Sequence, residues 1–262
     1  MHRLFDLTDK VALVTGAGTG IGRAFSEALA EAGADIVCTG RTRSTLEETA
    51  KLIENLGRKA LVVTADISKE DDVINLFAET MKAYGRLDIL VNNAACPPQP
   101  SLAHELSLED WQRVIDTDLT GTFLCAKEAL KIMVKQQSGK IINISSVQGL
   151  VSTSHPLPPA PDYCAAKGAV VQLTRELATE YAPYGITVNC IAPGLYLTDM
   201  ASEVFTETPE YQEWKNSVYF RFKLRGPGRP EDLKGTIIYL ATEASDFVNG
   251  HTLVADQGYV VW

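Results

Sequence analysis

No Cys-x-x-Cys pair occurs among the five cysteines, Cys38, Cys96, Cys125, Cys164 and Cys190, and their number is odd. A disulfide framework is therefore not expected, and the thiols suit a reducing compartment such as the cytoplasm. The four histidines, His2, His104, His155 and His251, are equally scattered, so no spacing proposes zinc ligands and no metal is assigned. No apolar run approaches the ~20 residues of a bilayer span. The start, Met1 to Lys10, has no long apolar segment after its basic residue, so neither a membrane segment nor a signal peptide is expected. Clustered Lys and Arg are also missing. With 24 basic against 33 acidic residues the net charge is -9, which argues against nucleic-acid binding and mainly promotes solubility. No repeat, low-complexity tract or linker divides the 262 residues, a length suited to one α/β domain.

What is present begins with Lys10-Val-Ala-Leu-Val-Thr15, a short β-rich run. It breaks into Gly16-Ala-Gly-Thr19-Gly20-Ile21-Gly22, and an Ala/Leu-rich helix from Arg23 closes at Gly33. Strand, glycine turn and helix in that order form the layout in which a pyrophosphate sits at a helix N-terminus. The alternative is a tight turn alone, since the spacing is Gly-x-x-x-Gly-x-Gly rather than Gly-x-Gly-x-x-Gly. A second strand, Asp35–Thr39, ends at Gly40-Arg41-Thr-Arg43. A carboxylate there would bind the 2′-hydroxyl of NAD. Arg41 and Arg43 suit a 2′-phosphate instead, so the expected cofactor is NADP, with NAD the alternative and solvated loop charges the bland reading.

A helix from about Ser44 to Leu56 and a third strand, Ala60–Ala65, lead to Asp66-Ile67. A helix over about Lys69 to Tyr84 then precedes a fourth strand, Leu87–Val91, and the turn Asn92-Asn93-Ala94-Ala95. Strand and helix in alternation predict a parallel sheet with helices on both faces and ligands beyond the strands' carboxyl ends. Asp66 can contact adenine there, and the Asn92–Ala95 turn can hold the sheet edge, although both are also ordinary turn formers. After the stiff loop Cys96-Pro-Pro-Gln-Pro100, Ser107 to Asp110 reads as a capping box that opens a helix continuing to about Gln136. A fifth strand, Lys140–Ile144, ends in Ser145-Ser146, where a hydroxyl faces the crevice and can hydrogen-bond a developing alkoxide.

Leu150 to Pro161 carries His155 among four prolines and cannot be a regular helix or central strand. It leads into Asp162-Tyr163-Cys-Ala-Ala-Lys167. On a helix the i, i+4 spacing puts phenol and ammonium on one face, roughly 6 Å apart along the axis. A fixed positive charge stabilises a phenolate and suits the pair to proton transfer. A sixth strand, Gly185–Ile191, runs into Ala192-Pro193-Gly194-Leu-Tyr196-Leu-Thr198. Residues 199–223 hold six aromatics among charges, either plain core or a movable cover over the substrate. A helix with proline in its first turn, Pro230–Thr242, and a last strand, Gly250–Val254, complete the chain.

Taken together, the chain resembles the short-chain dehydrogenase/reductase family from about Phe5 to Gly258. Thr15–Gly22 matches the cofactor loop, Asp66 the adenine contact, Asn92–Ala95 the Asn-Asn-Ala-Gly turn and Ser146 the active-site serine. Tyr163-x-x-x-Lys167 matches the catalytic pair, and Pro193-Gly194 with Thr198 the nicotinamide-side loop. The resemblance implies a single-domain, doubly wound Rossmann fold over 1–262, with about seven parallel strands and helices on both faces. Residues 199–223 would then be its substrate-covering segment. It also implies a homotetramer packed partly through the helices before Ser146 and after Tyr163. Gly16, Thr19, Gly20, Ile21, Gly22, Arg41, Asp66, Ile67, Asn93, Tyr163, Lys167, Pro193, Gly194 and Thr198 are the implied cofactor contacts. Catalysis falls to Ser146, Tyr163, Lys167 and position 118.

Within the family, Ile141–Gln148, the pattern Pro-Gly-x-Tyr-x-Thr-x-Met through Met200 and Phe247–Gly250 resemble the gluconate 5-dehydrogenase-like reductases of sugars and sugar acids. The implied activity is hydride exchange between NADP(H) and a carbonyl or secondary alcohol of a sugar, sugar acid or polyol. Another ketone, an acyl-carrier thioester or a weakly active nucleotide sensor are the alternatives. Three departures stand out. Asp118 replaces the family's asparagine, which holds a helix kink and, through its carbonyl, a water of the proton relay. Ala95 replaces a glycine. The stretch between Ser146 and Tyr163 is long, which makes His155 a candidate substrate contact; Gln148 and Tyr196 are the other two candidates.

Overall fold

The computed structural model describes residues 3–152, 159–198, 209, 212–213, 216 and 227–261. His155 and the six aromatics between 199 and 223 lie outside the described residues, and with them the expected cover. Seven strands, β1 Val11–Thr15, β2 Asp35–Gly40, β3 Ala60–Thr64, β4 Ile89–Asn92, β5 Gly139–Ile144, β6 Ile186–Pro193 and β7 Thr252–Ala255, form one sheet. Its order is β3-β2-β1-β4-β5-β6-β7 and every pairing is parallel. All five residues of β1 are buried, as a parallel strand covered on both faces requires.

The period of two along β1 divides the core. Ala12 and Val14 pack with Phe25 and Leu29 of α1 (Gly20–Glu31), Leu46 and Ile53 of α2 (Arg43–Asn55), and Leu233, Ile237 and Leu240 near the C-terminus. Val11 and Leu13 point the other way. They join Leu76 and Phe77 of α3 (Glu70–Tyr84) and clusters from α5 (Thr122–Gln136) and α6 (Pro161–Tyr181). Each fully buried Leu, Ile or Phe side chain contributes about 1.5 to 3 kcal/mol, so the two apolar faces fix which helix covers which side. The proline-led helix resolves into a 3-10 turn, Pro230–Leu233, followed by α7 (Lys234–Ala241).

The helix expected from Ser107 to Gln136 is not uniform. It comprises α4 (Leu108–Val114), a π-helical segment Ile115–Gly121, and α5. Ser107 caps it by accepting from the Asp110 N–H at 3.0 Å, a bond worth about 1 kcal/mol. In the π segment the Thr122 hydroxyl donates to the Asp118 carbonyl at 2.7 Å, and the Asp118 side chain points into the protein with no exposed surface. Wide turns of this kind concentrate at functional sites because they re-aim one side chain.

Candidate active site

Strand order reverses between β1 and β4, and the carboxyl ends of the central strands open there onto a crevice of about 480 Å³. Gly16 has φ +66°, and a Cβ on it would lie 2.9 Å from the Ala94 backbone; a Cβ on Gly22 would overlap the Gly16 carbonyl oxygen. Only glycine lets the loop fold this tightly beneath the first turn of α1, whose N–H groups an α-helix leaves unpaired. From outside, Arg23 donates to the Gly18 carbonyl at 2.6 Å and the Thr49 hydroxyl to the Ala17 carbonyl at 2.9 Å. The loop's acceptors are thus occupied, while the helix N-terminus faces the crevice and can receive a pyrophosphate.

At the end of β2 the two arginines part company. Arg43 pairs with Glu47 one helical turn on, at 2.8 Å and largely exposed, and it does not line the crevice. The expectation that both arginines serve a phosphate is corrected for Arg43: an i, i+4 carboxylate holds it. Arg41 is exposed, lines the crevice and has no ion-pair partner among the described residues. Its field also reaches Asp66 across the crevice. Burial would raise the Asp66 carboxyl, but hydrogen bonds from the Ser68 hydroxyl at 2.7 Å and N–H at 3.1 Å hold it below the usual range. Asp66 is therefore an acceptor at the ionised end of its range, as a contact to adenine or ribose needs. Ile67 lies beside it.

The other end of the crevice belongs to α6. The Asn92 amide donates to Asn143 at 2.9 Å and the Asn143 amide to Thr174 at 2.9 Å, a buried chain from β4 through β5 to α6. The Ser145 hydroxyl donates to the Lys167 carbonyl at 2.7 Å. These bonds hold α6 against the sheet so that Tyr163 and Lys167 both line the crevice. The Lys167 ammonium lies 5.4 Å from the centre of the Tyr163 ring. It donates to the Ile144 carbonyl at 3.1 Å and pairs with the Asp118 carboxylate at 3.1 Å. The other Asp118 oxygen accepts from the Cys96 N–H at 2.7 Å.

Charge at this pair differs from the simple expectation. Burial raises the Tyr163 phenol, the Lys167 charge and a hydrogen bond with Ser146 pull it down, and the Asp118 carboxylate raises it again, leaving it above the ordinary value. Lys167 alone does not set it. Burial acts to lower the Lys167 pKa, but the Asp118 carboxylate more than offsets this, so the ammonium keeps its proton. Asp118 itself is raised, by burial first, against the pull of Lys167.

The structure brings Gly16, Thr19, Gly20, Ile21, Gly22, Arg41, Asp66, Ile67, Asn93, Ser146, Gln148, Tyr163, Lys167, Pro193, Gly194, Tyr196 and Thr198 to one crevice. Two of them have local duties as well. Asn93 donates its amide to the Thr15 carbonyl at 2.9 Å and so braces the glycine loop. The Tyr196 hydroxyl donates to the Ala255 carbonyl at 3.0 Å, which ties it to β7. Sequence reasoning missed Pro98, Thr117 and Tyr259, which also line the crevice. A π turn and a C-terminal hook deliver the last two, and neither has a local signature.

A helix N-terminus suited to a pyrophosphate at one end of a crevice, and a protonated phenol beside a fixed ammonium at the other, define a dinucleotide-dependent oxidoreductase of the Rossmann class. The pattern described as short chain dehydrogenase matches residues 10–209, and the chain belongs to this family. Over 98% of its length it is 41% identical to a 3-oxoacyl-[acyl-carrier-protein] reductase of Synechocystis, covering 99% of that protein. It is 40% identical to the 2-dehydro-3-deoxy-D-gluconate 5-dehydrogenase of Bacillus subtilis, across 99% of this chain and 98% of that one. Among solved structures, a gluconate 5-dehydrogenase from Burkholderia cenocepacia J2315 in complex with NADP and tartrate superimposes with a TM-score of 0.91 at 33% identity, over 99% and 98% of the two chains. The protein is a short-chain oxidoreductase that uses NAD(P) and acts on a CH–OH group. No helix among the described residues is long and apolar enough to cross a membrane.

Proposed function

We propose that the protein is an NADP(H)-dependent reductase or dehydrogenase of a sugar, sugar acid or polyol. The observation that carries the cofactor choice is Arg41, which has no ion-pair partner among the described residues and lines the crevice just after β2, where an NAD enzyme places a carboxylate. The sugar-acid relative and the NADP-bound neighbour support the reading. The acyl-carrier reductase, similar to the same degree, supports a second one, reduction of a 3-oxoacyl thioester.

When bound, the nicotinamide supplies the hydride. The chain's own residues do the rest. The first turn of α1 and Gly16–Gly22 bind the phosphates, Asp66 and Ile67 flank the adenosine, and Arg41 meets the 2′-phosphate. Asn93, Pro193, Gly194 and Thr198 line the path toward α6. Ser146 orients the substrate oxygen, and the Tyr163 hydroxyl gives it a proton in reduction and takes one back in oxidation. Lys167 is the donor for the ribose hydroxyls. Gln148 and Tyr196 face the substrate, and His155 joins them in this proposal. Five cysteines outside any disulfide fit a reducing cytoplasm, and the working assembly is a homotetramer.

The test is absorbance at about 340 nm with NADPH or NADH against a panel of keto-sugar acids, sugars, polyols and a 3-oxoacyl thioester. NADPH oxidation with a keto-sugar acid is the expected result. Preference for NADH would overturn the cofactor assignment, and turnover of the thioester alone would replace the substrate class.

A further inference from the structure

Asp118 is a fully buried carboxylate placed directly on the amine of the proton-transfer pair. Its position is over-determined: the π segment turns it inward, the Thr122 hydroxyl holds its carbonyl, and the Cys96 N–H holds one carboxylate oxygen. The second oxygen pairs with Lys167 at 3.1 Å. The ammonium in turn is anchored on its sheet side by the Ile144 carbonyl, and it sits over the Tyr163 ring. We propose that Asp118 is a positioning residue whose carboxylate holds the Lys167 ammonium over the Tyr163 ring and offsets its charge there. Alcohol oxidation is thereby displaced toward alkaline pH.

The neighbouring charges agree with this assignment. From α6, Asp162 is fully buried with one oxygen on the Tyr163 N–H at 2.8 Å and the other without a hydrogen bond among the described residues, and it adds negative potential at Asp118. Cys164 on α6, Cys190 on β6 and Cys96 before α4 are further titratable groups around the pair among the described residues. Arg113 of α4 donates to the Cys96 sulfur and the Pro97 carbonyl. Lys167 is thus the one cation directly on the phenol among the described residues, and Asp118 is its direct counter-ion. With a neutral amide at 118 the lysine charge would act on Tyr163 undiminished. In the reductive direction the same device keeps the proton donor loaded to higher pH.

The inference rests on the assignment of Tyr163 as the proton donor, so the first measurement does not use turnover. The tyrosinate absorbance is titrated with pH in the wild-type protein and in Asp118→Asn. Each is repeated with Tyr163→Phe, so that subtraction removes the other eight of the nine tyrosines. Removing a unit charge at this range should lower the Tyr163 midpoint by about one pH unit or more. Asp118→Ser, smaller and equally neutral, should shift it in the same direction and carries the test if the asparagine variant does not fold. The acid limb of the kcat profile for alcohol oxidation should then move down by the same amount. A midpoint unmoved in both folded variants would overturn the proposal. A shifted midpoint in a protein that turns over nothing on the panel would uphold it while removing the proposed substrate class.

Discussion

At Tyr163 the protein places a half-buried phenol on the crevice, where two opposite charges, Lys167 and Asp118, act on it together. Replacing it by phenylalanine keeps the ring and its packing while removing the only proton at that position. Folding and NADPH binding should survive, and kcat should fall by about 10² to 10⁴, the usual worth of a positioned general acid. A Tyr163→Phe enzyme that keeps most of its kcat would place the proton elsewhere. Arg41 is the residue-scale test of cofactor choice. Loss of a charge-assisted contact worth about 1.5 to 3 kcal/mol should raise KM for NADPH roughly ten- to a hundredfold in Arg41→Ala and leave KM for NADH nearly unchanged. Equal effects on both cofactors would mean that Arg41 does not meet the 2′-phosphate. Much at this scale was legible without the fold. The Tyr163/Lys167 spacing is an i, i+4 relation that any helix brings together, whereas the Arg43–Glu47 pair came to light only because α2 begins at Arg43. The Asp118–Lys167 contact joins two separate helices, so no local pattern announces it.

At the scale of elements, the π segment between α4 and α5 delivers both Asp118 and Thr117 to the site. It passes close to the β3–α3 loop at Gly121, where an added Cβ would lie 2.8 and 2.9 Å from the Ile67 side chain and 3.0 Å from its carbonyl. Gly121→Ala sets two effects against each other. Alanine favours a helix over glycine by up to about 1 kcal/mol, whereas overpacking a tight contact costs about 1 to 3 kcal/mol. Overpacking should win. The urea midpoint should fall, and KM for the cofactor should rise because Ile67 is pushed into the crevice beside Asp66. An unchanged midpoint would show that Ile67 yields freely. The hydrophobic pattern from Ser107 to Gln136 reads as one helix, because a single π turn shifts the periodicity by less than such a pattern resolves; only the family resemblance anticipated a bend there. The Pro230 turn, by contrast, announced itself, since a proline at the first helical position has a local steric cause.

For the whole molecule, α5 exposes Phe123 at 45% of its surface, on one of the helices expected to pack between copies. Sedimentation should give four times the 28.5 kDa chain mass, and Phe123→Glu should reduce it. A wild-type monomer would end the tetramer proposal. The order of strands and helices, the glycine turn before α1 and the Tyr163/Lys167 pair were determined by the sequence alone. Each depends on residues within one or two turns of one another, where propensity and periodicity act. The continuous apolar run of β1 likewise suits a strand covered on both faces. The tertiary structure decided which helices cover which face, that Arg41 and Asp66 share one crevice, and that the Tyr196 hydroxyl is taken by β7. It also decided that an aspartate in π-helical backbone reaches the lysine of α6. These are contacts between segments far apart in the chain. They form only when parallel crossovers bring strand ends together, and the burial that gives them their electrostatic force exists only in the packed molecule.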